Sequence, residues 1–196
     1  MDEIKIKSLY ERFQEDYAAV KVPCANKNGF RIDYVYYGSW LVWNLPEKEL
    51  KRRRSLILLE GIASVLACFA VAVIPSALNR LPLVAFPAIL AICALLIELF
   101  GIGHFYLAGY KTAKFTYETV NRRMRIYPVC NLIFSAAAAG GCFYYICAYG
   151  AAPDGIAVLM GHLVLAALSF MIRRQYVTIP VTTEKNDALY HIDDPL

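Results

Sequence analysis

Glu98 is the residue in this chain that most needs a chemical reason. It stands in ICALLIELFGIGHF, residues 92–105, inside an apolar run long enough to cross a membrane. A carboxylate in hydrocarbon is costly unless it is paired, protonated or wetted. A helix rises about 1.5 Å per residue, so counting from Pro82 puts Glu98 roughly 24 Å along its span. In a hydrocarbon core about 30 Å thick, that is the cytoplasmic quarter. Glu60 falls at a similar depth after the basic run 51–54, Asn131 after Arg125, and Ser169 before Arg173. Each of four spans thus offers one polar group near one level.

Polar side chains in membrane helices face the bundle interior and bond across it. Glu60, Glu98, Asn131 and Ser169 are therefore expected to form one polar layer. Two carboxylates in one apolar layer do not both ionise readily. Such a layer suits helix packing, or a permeation, proton-coupling or ligand site. A third reading has the glutamates snorkelling to the interface.

Other chemistry has less support. The histidines, His104 and His162, lie at different depths, which argues against bis-histidine haem within one subunit, and His191 is in the tail. Cys24 is cytoplasmic, while Cys68, Cys93, Cys130, Cys142 and Cys147 fall within spans with no CxxC. They read as small apolar packing residues. A quinone-linked disulfide oxidase would need cysteine pairs near the outer face. No HExxH, GxSxG or Walker pattern occurs. No metal site, no cofactor and no enzymatic activity are expected.

The elements that must position the layer follow from composition. Of the 196 residues, 59% are hydrophobic and 18% charged, which is too apolar for an ordinary soluble domain. The net charge of +4 comes from basic residues flanking apolar runs, so it points to the lipid bilayer and not to nucleic acid. The fold expected is an all-α integral membrane protein with four transmembrane helices, spanning about 55–77, 82–104, 126–149 and 155–172. Pro128 should sit in a first turn, and Pro87 should kink the second span or delay its start.

Lys51–Arg54, the basic residues between Lys111 and Arg125, and Arg173–Arg174 fall on one side of the spans. The positive-inside bias then makes two hairpins with both termini cytoplasmic, in the plasma (inner) membrane. The N-terminus lacks an apolar stretch of signal-peptide type, so the first span should act as its own insertion signal.

Three regions result: a cytoplasmic region 1–50, a transmembrane domain 51–174 and a cytoplasmic tail 175–196. In the first, residues 3–21 have helical spacing of apolar residues and read as an amphipathic helix. NKNG reads as a turn and FRIDYVYY as a strand. Trp40 and Trp43 read as interfacial anchors. Residues 105–125 read as the second helix continuing into the cytoplasm. QYVTIPVTT is β-prone, with Pro180 limiting it to an edge, and could pair with the N-terminal strand.

In the third span, Ala136-xxx-Gly140 and Ala137-xxx-Gly141 would let helices approach closely, within the chain or between subunits. The expected function is a non-enzymatic subunit or scaffold of a membrane assembly, partnered by a copy of itself or another membrane protein. The competing expectation is a small oligomeric transporter or channel using the Glu60/Glu98 layer.

Overall fold

The computed structural model describes residues 16–23 and 30–186. Four helices in it are long and apolar enough to cross a membrane, which is the make-up of a multi-pass integral membrane protein. They are α1 (Glu47–Val73), α2 (Pro82–Leu107), α3 (Lys114–Tyr149) and α4 (Pro153–Val177). Five short strands accompany them: β1 (Tyr17–Pro23), β2 (Phe30–Tyr36), β3 (Trp40–Trp43), β4 (Lys111–Ala113) and β5 (Val181–Glu184). The described chain divides into a helical unit, Leu45–Ala108 with Thr119–Pro180, and a strand unit made from the remaining segments.

Helix α1 starts ahead of its apolar stretch. Glu47 and Glu49 in its first turn suit the helix dipole, and each pairs one turn on, Lys51 with Glu47 at 2.8 Å and Arg53 with Glu49 at 3.1 Å. It ends at Val73, where Ile74 turns extended before Pro75. The Asn79 amide then donates to the carbonyls of Val71 and Ile74, both at 3.0 Å, as a second donor to each beside the backbone amides of Ile74 and Ser76. Pro82 opens α2 at its first position, where no amide hydrogen is needed. Gly150, at φ 96°, closes α3 by donating to the Ile146 carbonyl at 3.0 Å.

Two prolines lie inside helices. Pro87 sits within α2, which starts at Pro82 and runs through it. Pro128 is buried well inside α3 and not in its first turn, because β4 leads directly into a helix beginning at Lys114.

The buried positions of each helix form a narrow stripe. On α4 they are Gly155, Val158, His162, Leu165, Ser169, Ile172 and Tyr176 (with Ala166 beside them), and α1 repeats the pattern from Leu50 to Ser64. This alternation of three and four residues keeps one seam facing the neighbouring helices. Beyond the stripes the apolar side chains are exposed, among them Leu59, Leu66, Phe69 and Phe100, as a lipid-facing surface requires.

In the strand unit, β1 and β2 form an antiparallel hairpin in which Tyr17 faces Tyr36 and Pro23 faces Phe30. The NKNG turn falls between them, outside the described residues. The second sheet has the order β4-β3-β5, with both pairs antiparallel.

Three expectations are corrected here. Residues 17–21, expected in an amphipathic helix, lie in β1, where pairing with β2 overrides the helical spacing of Tyr17 and Val20. Of the rest of that predicted helix, Asp16 is helical and residues 3–15 lie outside the described residues. Residues 105–125 are not one continuous helix. Helix α2 ends at Leu107, Ala108 turns extended, and residues 111–113 pair with β3 before α3 begins. The tail strand pairs with Trp40–Trp43 and not with FRIDYVYY, whose partner is β1.

Candidate functional site

Glu98, Asn131 and Ser169 occupy the buried stripes of α2, α3 and α4, and the structure brings the three side chains together. Glu98 and Ser169 are wholly buried, and Asn131 nearly so. The Asn131 amide nitrogen donates both its hydrogens, one to Glu98 Oε2 at 2.9 Å and one to Ser169 Oγ at 2.8 Å. Ser169 Oγ in turn donates to the same carboxylate oxygen at 3.3 Å. Ser135, one turn on from Asn131, donates to the Asn131 Oδ1 at 3.2 Å.

The amide orientation follows from the acceptor set. Glu98 supplies lone pairs, so the Asn131 NH2 must face it, which leaves Oδ1 for Ser135. Glu98 Oε1 has no hydrogen-bond partner among the described residues. The arrangement ties three helices through one carboxylate oxygen and keeps the second oxygen uncommitted. Chemically it can hold helices in register, and its carboxyl group can exchange a proton where an amide could not.

Glu60 is not part of this cluster. Its carboxylate accepts a hydrogen bond from the Gln175 side chain. Gln175 follows Ser169 by about one and a half turns, roughly 9 Å along α4. Depth alone places the two glutamates together, whereas helix phase separates them: Glu60 sits beside the α1 stripe of Ile57, Gly61 and Ser64.

Nearer that end of the bundle, side chains from all four helices meet. The Arg54 guanidinium lies 5.1 Å from the centre of the Phe105 ring. Phe105 packs edge-on against Tyr176 at 5.2 Å, and the Tyr176 hydroxyl donates to Asn121 Oδ1 at 3.4 Å.

The expected small-residue motif divides. A Cβ on Gly141 would come within 2.9 Å of the Leu83 carbonyl oxygen. That is the carbonyl whose helical donor Pro87 removes, four residues on. Gly141 therefore marks a close approach of α3 to the α2 backbone. Ala136, Ala137 and Gly140 are exposed, and among the described residues nothing lies within 4 Å of a Cβ added at Gly140. A tighter crossing lies at Gly161, four residues after the exposed Ala157. A Cβ there would meet the Val71 side chain at 2.1 Å, so α1 and α4 approach through it.

Trp40 and Trp43 both lie in β3. Trp43 is buried, 5.4 Å from the Tyr117 ring centre, and Trp40 packs edge-on against Tyr36 at 4.7 Å. No group of three or more His, Cys, Asp or Glu residues is placed to hold a metal ion among the described residues. Compared with protein families, curated proteins and solved structures, the chain has no match.

Proposed function

We propose that this chain is a non-enzymatic membrane subunit that anchors a small docking module. The four helices form the anchor, and the Glu98–Asn131–Ser169 cluster holds three of them in register. The module is the strand unit, on the cytoplasmic side with both chain termini. One observation carries this reading: the β1–β2 hairpin exposes Ile32 and Tyr34, which share a face of β2, at 52% and 61%. Exposed apolar side chains side by side on a strand outside the spans suit contact with another protein.

The sheet adds support for the sidedness. Its strands come from before α1, between α2 and α3, and after α4. Each pair of strands is separated by an even number of spans, as two hairpins with one-sided termini require.

The test is purification of the full chain in mild detergent, with stoichiometric partners identified by mass. A stable complex, with another membrane protein or with a copy of this chain, that is lost in Ile32→Arg/Tyr34→Arg supports the reading. A lone monomer, or a complex indifferent to both substitutions, overturns it. A second reading, an oligomeric transporter, rests on the uncommitted Glu98 oxygen within the buried cluster. Proton- or cation-driven uptake into vesicles that Glu98→Gln abolishes would favour it.

A further inference from the structure

A cleft of about 260 Å³ lies in the helical unit, in the half nearest the α1–α2 connection. It exists because the seam between α1 and α2 is lined by small side chains there: Cys68 and Ala72 on α1, and Ala85, Ala88 and Ala91 on α2. Its rim residues Ala72, Ile89 and Ile92 are exposed. In a bilayer, that rim faces acyl chains. Asn131 lines the cleft and so joins it to the Glu98 cluster.

Most of the polar capacity around the cleft is committed. The Asn131 amide nitrogen serves Glu98 and Ser169, and the Asn79 amide nitrogen serves the end of α1. His162 is different. It lines the cleft from α4, it is 3% exposed, and neither ring nitrogen has a hydrogen-bond partner among the described residues. A buried polar group without a partner is rare and calls for one.

We propose that the cleft is a binding site for an uncharged lipid-phase alcohol, whose hydroxyl pairs with His162 and whose chain leaves between α1 and α2. Each feature of this ligand has a reason. A neutral imidazole presents one donor and one acceptor, which a single hydroxyl can meet from either side. Among the described residues no Lys, Arg, Asp or Glu lines the cleft, so a charged head would find no counter-charge there. A dry cavity of about 150 Å³ takes up benzene, whereas pockets for drug-sized ligands start near 300 Å³. A volume of about 260 Å³ therefore holds a head and a short length of chain, with any remainder in lipid. The site is independent of the docking module and does not rest on it.

The test uses a diazirine-bearing octanol on the full chain in lipid nanodiscs, with the adducts mapped by mass spectrometry. Saturable labelling is expected on Cys68, Ala72, Ala85 or Ile89. Excess octanol should suppress it, and octane at equal membrane mole fraction should not. His162→Leu should weaken saturation about 5–10-fold, the loss of one hydrogen bond, while His162→Gln retains most of it. Ala88→Trp should fill the cleft and remove the labelling. Non-saturable labelling, equal competition by octane, or unchanged affinity in His162→Leu would overturn the proposal. The octane comparison is made on the unmodified chain, so it decides even where a variant fails to fold.

Discussion

Replacing Glu98 with leucine tests the buried cluster directly. The carboxylate oxygen Oε2 accepts from Asn131 at 2.9 Å and from Ser169 at 3.3 Å, so the substitution removes two interhelical bonds. Such bonds in membrane proteins average about 0.6 kcal/mol each, hence about 1.2 kcal/mol together. The substitution also strands donors. Asn131 keeps one hydrogen on Ser169, but its second hydrogen and the Ser169 hydroxyl lose their acceptor. An orphaned buried donor costs about 1–3 kcal/mol.

Leucine gains little in return, because lipid is as apolar as the bundle interior and offers no hydrophobic reward for burial. Relief from burying the carboxylate works the other way and trims the total. The net expectation is a loss of about 2 kcal/mol. Glu98→Gln keeps shape and an acceptor oxygen, so its loss should stay below about 1 kcal/mol. Reversible unfolding in bicelles, followed by a fluorescence probe on α3, measures both. A Glu98→Leu protein as stable as the parent, or more stable, would refute the claim that this cluster ties the helices.

Gly141→Ala should destabilise by about 1–3 kcal/mol through overpacking against the Leu83 carbonyl, while Gly140→Ala should be neutral or stabilising by up to about 1 kcal/mol; thermal midpoints in detergent compare them. Tyr36→Phe should loosen the strand unit by about 1–2 kcal/mol, since its hydroxyl donates to the Ser39 carbonyl at 2.6 Å and accepts from the Lys114 amide at 3.1 Å, as hydrogen exchange in β1 and β2 would show. Burial pushes the Tyr36 phenol above its ordinary 10.0, so its contribution is complete below pH 10 and fades as the pH climbs through the higher folded value; alkaline near-ultraviolet titration should show that loss in the parent and not in Tyr36→Phe. Accessibility tags after residues 3 and 190 should report the same side, and tags at Asn79 and Ala151 the opposite one; a tag at 190 reporting with Asn79 would break the two-hairpin arrangement.

The spans were legible because each presents an unbroken apolar run with basic flanks, and no soluble alternative competes for such a run. Three of the four polar residues were placed by depth, which follows from a fixed rise per residue. Phase needs more. Glu60 lies within a turn of the right depth but beside its stripe, and the three-and-four alternation on α1 separates it from Ile57, Gly61 and Ser64. The same alternation on α4 marks His162 and Ser169 as inward-facing two turns apart. Gly161 was open to notice as a glycine in a helix interior, four residues after Ala157, yet spacing within α4 does not tell that its partner is a valine on α1.

The strands were hard to read for a different reason. Strands β3, β4 and β5 hold four, three and four residues, too few for a period of two to stand out. Nothing local makes Lys111–Ala113 a strand; it pairs because β3 offers free backbone groups, and residues that would continue a helix in isolation give way to that pairing. Strand β3 lies between β4 and β5, and those two neighbours are reached only after two and four helices of intervening chain. The order of chain segments explains this dependence. A sheet so short is marginal by itself, and its closure gains from helices that bring distant segments back to one place. A cross-strand ion pair, Lys111 with Glu184 at 2.6 Å, is half-exposed and adds less than about 1 kcal/mol. Trp43 is buried with its ring 5.4 Å from that of Tyr117, so the tryptophan that reads as an interfacial anchor in sequence packs inside the protein and adds apolar burial to strand β3.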